Sequence, residues 1–180
     1  RQYRQYSKVQ TVLKNNLISL LDTVFPNANR LFSSPVRGDG SEKWVDFVAE
    51  FWHCRCVSEK SERTFTNKYQ RWCRKHGYNF NEAKAHIIHA EASGHIGVMP
   101  KSETTKLLVE QAVAQLRATS AALTALKREM LTLAAQLPEY PVVMGMFGVG
   151  PTLGPQLIAE IGDVRRFYSK KALVAFAGLD

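Results

Sequence analysis

Gly148-Val149-Gly150-Pro151 is the one place in this 180-residue chain where residue type and spacing point to a specific ligand. An apolar run from Val142 reaches the two glycines, and a second run begins after Pro151, a residue favoured at the first helical position. Residues 142–163 therefore read as a helix-hairpin-helix. The glycines permit a turn that a Cβ would obstruct, and the next helix opens with unpaired N–H groups at its positive dipole end. Gly148, Val149, Gly150 and Thr152 become candidates to hold a backbone phosphate without reading its sequence. The alternative is an ordinary helical hairpin whose glycines only make the corner.

The remaining reactive side chains say less. Cys54-x-Cys56 and Cys73-x-x-His76 offer thiolate and imidazole donors of the kind that suit a tetrahedral zinc site. Both pairs fall in helical patterns, where residues two apart do not face each other, and free cysteine commonly packs as a small apolar residue. His53, His86, His89 and His95 form no ligand or catalytic spacing. Glu160 and Asp163 stand three apart, a pair that capping explains better than catalysis. Arg37-Gly38-Asp39 spells an adhesion tripeptide, and chance accounts for it in a chain that reads as intracellular.

Charge narrows the partner. Lysine and arginine total 24 against 16 acids, a formal net charge of +8, and they are clustered. Residues 1–20 carry Arg1, Arg4, Lys8 and Lys14 with no acid; residues 54–80 carry Arg55, Lys60, Arg63, Lys68, Arg71, Arg74 and Lys75 against Glu59 and Glu62. Such clustering favours nucleic acid, with a merely solvated basic face as the alternative. An apolar content of 45% excludes wholesale disorder, and no apolar run approaches a membrane span. Three cysteines and no secretory segment suit a reducing, cytoplasmic setting. A start without methionine inside a helical pattern, and an end at Leu179-Asp180, suggest a fragment of a longer protein.

The elements that would position these groups are mainly helical. Tyr6, Val9, Leu13, Leu17, Leu20, Leu21 and Val24 predict an amphipathic helix over 1–25 that stops at Pro26, with Arg1, Arg4 and Lys8 on another face as a phosphate-tracking edge or a solvated stripe. Residues 26–100 read as a helical insert after a loop rich in Pro, Asn, Ser and Gly. Within it, Ser41 caps a helix bearing Trp44, Val45, Phe47, Val48, Phe51 and Trp52 as core, with base stacking by the tryptophans as the sharper alternative. A helix from a Ser61 cap to Gly77 buries Phe65, Tyr69 and Trp72 and presents Lys68, Arg71 and Lys75, the best candidate basic face for nucleic acid. A weaker helix covers 82–93.

Residues 101–137 carry the longest periodic segment. Val109, Leu116, Leu123, Met130 and Leu137 repeat every seven residues, with Ala112, Thr119, Leu126 and Leu133 three later, an a/d seam of more than four heptads. Such a rod packs along another helix, within the chain or in a second copy, and a homodimer or higher oligomer is the preferred reading. Val109, Leu116, Leu123, Leu126, Met130 and Leu133 are its dimerisation candidates. Pro138-Glu139-Tyr140-Pro141 breaks the rod, and 138–180 holds the hairpin, with Asp163 and Ser169 as caps of short helices and Gly178 as a helix stop.

The order Gly148-Val149-Gly150-Pro151, Ala159-Glu160-Ile161-Gly162-Asp163, Arg166-Phe167 and Ala175-Phe176-Ala177-Gly178-Leu179-Asp180 resembles the carboxy-terminal transposase domain of the insertion-sequence one-ten family, the DEDD-type transposases described as bridge-RNA-guided recombinases. Leu13 to Asp22, running to Phe25-Pro26, is similar to the connection after that family's catalytic amino-terminal domain. The likeness extends over essentially the whole chain and is most specific in the last forty residues.

What the resemblance implies is DNA rearrangement. It implies an RNase-H-like domain with four acidic ligands for Mg2+, a coiled coil used in assembly, a serine nucleophile in the transposase domain, and a structured guide RNA that pairs with donor and target DNA. By the same likeness the acidic tetrad belongs before Arg1 and the serine after Asp180. The stretch itself is then expected to hold no catalytic residue, metal or cofactor, and to be inactive alone. Its setting would be prokaryotic and nucleoid-associated. Two alternatives keep the same sequence features: a non-enzymatic helix-hairpin-helix module that binds DNA as a dimer, and a purely structural assembly domain.

Overall fold

A computed structural model describes residues 2–176, and among these the chain is mainly α with no strand. Helices α1 (Gln2–Val24), α2 (Lys43–Glu50), α3 (Arg55–Ser58), α4 (Glu62–His76), α5 (Glu82–Gly94), α6 (Glu103–Ala135), α7 (Tyr140–Met144), α8 (Leu153–Ile161) and α9 (Lys170–Phe176) follow in order. Single 3-10 turns occupy Ala28–Arg30 and Val164–Arg166. The chain divides into two compact units, residues 1–124 and 125–180. Arg1 and the Ala177–Asp180 segment, including the Gly178 stop, lie outside the described residues.

The first unit is organised by aromatic packing. Phe47 and Phe51 stack at 4.7 Å, Trp72 meets Phe47 edge-on at 5.7 Å, and Tyr69 stacks on Trp72 at 5.6 Å. Leu17, Leu21 and Val24 of α1, with Val109, Val113 and Leu116 of α6, close the same core. Only the second half of the predicted α1 stripe is used: Tyr6 and Val9 remain exposed. Trp44 and Trp52 are buried here, so they offer no faces for base stacking.

Caps set some of the helix ends. Ser61 Oγ accepts the Thr64 N–H at 3.3 Å, and α4 ends at Gly77 with φ 65°, as its sequence predicts. Ser102 Oγ does the same for the Thr105 N–H at 3.2 Å at the head of α6. Ser41 does not cap α2. The Asp39 carboxylate accepts the Ser41 N–H at 2.9 Å, a local turn that draws Ser41 into the preceding loop and leaves the helix to start one residue after Glu42.

His53 ties together segments that sequence leaves unconnected. Its Nδ1 accepts the Arg55 N–H at 3.1 Å, which fixes the tautomer, so Nε2–H donates to the Met99 carbonyl at 3.1 Å. The ring is buried, and a Cβ on Gly97 would stand 2.9 Å from it.

The second unit has a small core of Ala134, Val143 and Ile158, with Tyr140, Val149 and Leu157 packed against it. Pro141 lies in the first turn of α7, so it starts that helix instead of only breaking the previous one.

Candidate nucleic-acid interface

The hairpin corner lies between α7 and α8. Within it the Gly145, Met146 and Val149 N–H groups donate back to Pro141, Val143 and Met146 carbonyls at 3.1–3.2 Å, and Gly154 N–H donates to Gly150 at 2.9 Å. The N–H groups of Gly148, Gly150 and Thr152 find no acceptor among the described residues. Gly148 and Thr152 are exposed, Val149 and Gly150 half-buried. The corner thus faces outward with amides uncommitted.

The two glycines differ in what they permit. Gly148 has φ 78°, a conformation that disfavours any side chain. Gly150 has no atom within 4 Å of an added Cβ and no positive φ, so the expectation that a Cβ would obstruct the turn fails there. The position where a Cβ is crowded is Gly154, where it would stand 2.6 Å from Met144 Sδ and 3.5 Å from Val149 Cγ1, so that Met144 must shift. Met144 of α7 packs over that glycine, a contact that no spacing in the sequence marks.

The start of α8 also departs from expectation. Pro151 is not its first residue; the helix begins at Leu153. Pro155 has no N–H to return to the Pro151 carbonyl, so the Gly154–Gly150 bond closes an isolated turn before the regular ladder starts. Ahead of the corner, Phe147 is fully exposed and Met146 half-exposed, an apolar tip. Downstream, Asp163 accepts the Arg165 N–H at 2.9 Å and Ser169 the Ala172 N–H at 3.2 Å, so both serve as caps.

In the first unit, Lys68, Arg71 and Lys75 do share one groove with Trp72, but Glu50 lies in it as well. Glu50 stands 3.7 Å from Lys68 and 3.9 Å from Lys75 and offsets part of their charge, a neighbour from α2 that the α4 sequence does not reveal. Arg4 and Lys8 are both exposed one turn apart on α1. Arg1 lies outside the described residues.

The dimerisation seam divides. Val109 and Leu116 are 0% and 2% exposed within the first unit's own core, and Leu123 is buried as well. These three are therefore not open to a partner helix. The buried line on this half of α6 runs Thr105, Val109, Val113, Leu116, Ser120, Leu123, so Val113 and Ser120 replace the predicted Ala112 and Thr119. A helix lying on a globular core follows its own 3.6-residue turn, not a strict heptad. In the second unit, Leu126 and Met130 are half-buried and Leu133 is 56% exposed. Met130, Leu133 and Leu137 line an open groove of about 650 Å3 with Pro155 and Ile158.

The zinc reading gains no geometry. Cys54 and Cys73 are buried, and among the described residues no three His, Cys, Asp or Glu side chains converge where a metal ion could sit. Among the described residues no helix is long and apolar enough to cross a membrane.

Residues 140–180 match the family model described as Transposase IS116/IS110/IS902 family. That is the same family the sequence resembles, and the match begins at α7 and takes in the whole hairpin. The upstream likeness over Leu13–Pro26 lies outside it. No curated protein and no solved structure matches the chain.

Proposed function

We propose that this chain is the middle and carboxy-terminal part of an insertion-sequence transposase, and that it contributes nucleic-acid binding and subunit pairing to DNA strand exchange. One observation carries the proposal: the segment that matches the transposase family is the segment whose glycine corner faces outward with uncommitted amides.

The assignment of roles follows from the chemistry. Gly148, Val149, Gly150 and Thr152 hold a backbone phosphate at the head of α8, where N–H groups and the helix dipole favour negative charge. Lys68, Arg71 and Lys75, with Arg4 and Lys8, supply sequence-independent attraction to DNA or to a structured guide RNA. Leu126, Met130 and Leu133, on the part of α6 outside the first unit's core, pair with a second copy. Strand cleavage belongs to residues beyond this chain: a serine nucleophile activated for attack on a phosphodiester, and carboxylates that hold Mg2+ to stabilise charge on the phosphate.

The test is reconstitution. The full-length parent, given its element's RNA and DNA ends, should carry out Mg2+-dependent strand exchange that is lost when its downstream serine is replaced. Exchange that persists without that serine, or its absence in the intact protein with cognate partners, contradicts the proposal. DNA binding by such a protein without exchange would favour the non-enzymatic dimer module.

A further inference from the structure

A second basic cluster lies in the first unit, on residues that charge counting along the chain does not single out. Lys43 Nζ stands 5.1 Å from the Phe32 ring centre and 5.0 Å from that of Tyr78. Lys84 Nζ is 5.8 Å from the same Phe32 ring, and the Arg37 guanidinium lies 3.9 Å over Tyr78. Arg37 is fixed there by donating to the Gly77 carbonyl at 2.9 Å. All three cations are half-buried, and they come from the loop after α1, the start of α2 and the first turn of α5.

The carboxylates nearby hydrogen-bond elsewhere, although Asp39 lies close enough to Arg37 to feel its charge. Asp39 accepts the Ser41 N–H, Asp46 is shared by the Tyr78 hydroxyl and Arg117, and Glu42 is shared by Lys14 and Trp44. Among the described residues no ion pair joins Arg37, Lys43 or Lys84 to a carboxylate. Burial pushes the Lys43 ammonium below its ordinary pKa; Cys73 opposes this, and the positive charges of Lys84 and Arg37 add to it. Aromatic faces attract cations but do not neutralise them, so three like charges are left gathered on two rings.

We propose that Arg37, Lys43 and Lys84 form a phosphate-binding site, separate from the hairpin, that takes the sugar-phosphate backbone of a nucleic acid. The site rests on the nucleic-acid reading above and adds a contact that neither the hairpin nor the α4 face supplies. Cations cover the rings of Phe32 and Tyr78, so phosphate rather than a stacked base is the group recognised. Continuity supports a polymer over a free anion: Trp72 stacks on Tyr78 at 5.2 Å and also lines the groove of Lys68, Arg71 and Lys75. The two basic sets therefore flank one indole.

The experiment compares the full chain with a Lys43→Met, Lys84→Met double variant, which removes charge while keeping apolar stems over the rings. Binding of a DNA duplex and of a hairpin RNA of matched length is titrated across salt. Affinity at low salt should fall on the order of tenfold for at least one of them, and the slope of log K against log salt should flatten by about 1–2, at an unchanged melting temperature. Whichever polymer shows the loss is the source of the phosphate.

Lysine acetylation of the unsubstituted protein gives an independent readout, with Lys43 and Lys84 protected by bound oligonucleotide. If the protein binds nucleic acid but the double variant keeps its affinity and slope, or both lysines acetylate equally with and without oligonucleotide, this site is wrong while the broader reading stands. If the unsubstituted protein binds neither polymer at low salt, the broader reading falls and takes this site with it.

Discussion

Arg117 of α6 reaches the Asp46 carboxylate of α2 at 2.5 Å, and the Tyr78 hydroxyl donates to the other oxygen of that carboxylate at 2.7 Å. Asp46 is buried, so its charge is tolerable only with these partners. Replacing Arg117→Met leaves one donor on a buried anion and should lower the unfolding free energy by about 2 kcal/mol, discounted because Arg117 is itself partly exposed. Urea unfolding followed by tryptophan fluorescence checks this. A loss under about 0.5 kcal/mol would mean that Asp46 is solvated or otherwise paired.

The divided seam makes opposite demands on its two halves. Leu116→Ala should remove about 3 kcal/mol from the first unit, the usual cost of emptying a buried leucine site. Leu133→Glu changes an exposed side chain and should leave melting unchanged while shifting sedimentation from dimer to monomer. A dimer that survives Leu133→Glu would remove this half of α6 from the interface.

Much of the first unit was legible from the sequence because strong local signals agree. The Ser61 cap, the Gly77 stop and the Phe65-Tyr69-Trp72 stripe all mark α4, and the structure bounds it at those residues. What was not legible depends on partners distant along the chain. Glu50 between Lys68 and Lys75, the Asp46–Arg117 pair and the Arg37-Lys43-Lys84 cluster each unite separate elements. The heptad misled for a related reason: Val109 and Leu116 satisfy a coiled-coil spacing and a core-facing helix equally well until the other elements are placed. At the hairpin the two glycines located the turn, but only three-dimensional packing shows that Gly154 is the one that Met144 crowds.

Buried thiols and phenols make the fold sensitive to alkali. Burial raises the Cys56 and Cys73 thiols above their ordinary 9.0, and the Tyr69 and Tyr78 hydroxyls are pushed up by burial too. A group whose folded pKa lies above its unfolded value contributes stability that is complete below the unfolded value and lost as pH rises through the folded one. Unfolding free energy should therefore hold steady to about pH 8 and decline above 9, and Cys73→Ala should soften the decline. The Lys43 ammonium, held below its ordinary pKa by burial, works the other way above pH 9, so the test is the difference: a Cys73→Ala variant that declines as steeply as the parent would contradict the burial of that thiol.

His53→Ala should destabilise the first unit by about 2–3 kcal/mol, since it leaves the Met99 carbonyl and the Arg55 N–H without their partner and opens a cavity against Gly97. Differential scanning calorimetry reads this directly. An unchanged melting temperature would show that water replaces the ring at no cost.

The most direct measurement is nucleic-acid binding by Gly150→Asp, with Gly150→Ala as its control. The Cβ that both changes add meets no atom within 4 Å, and both proteins should keep their helix content. The aspartate puts a negative side chain where a phosphate would sit: affinity should fall on the order of tenfold or more at low salt, while the alanine variant stays close to the parent. Equal affinity for Gly150→Asp and the unsubstituted protein would show that the corner does not hold the backbone.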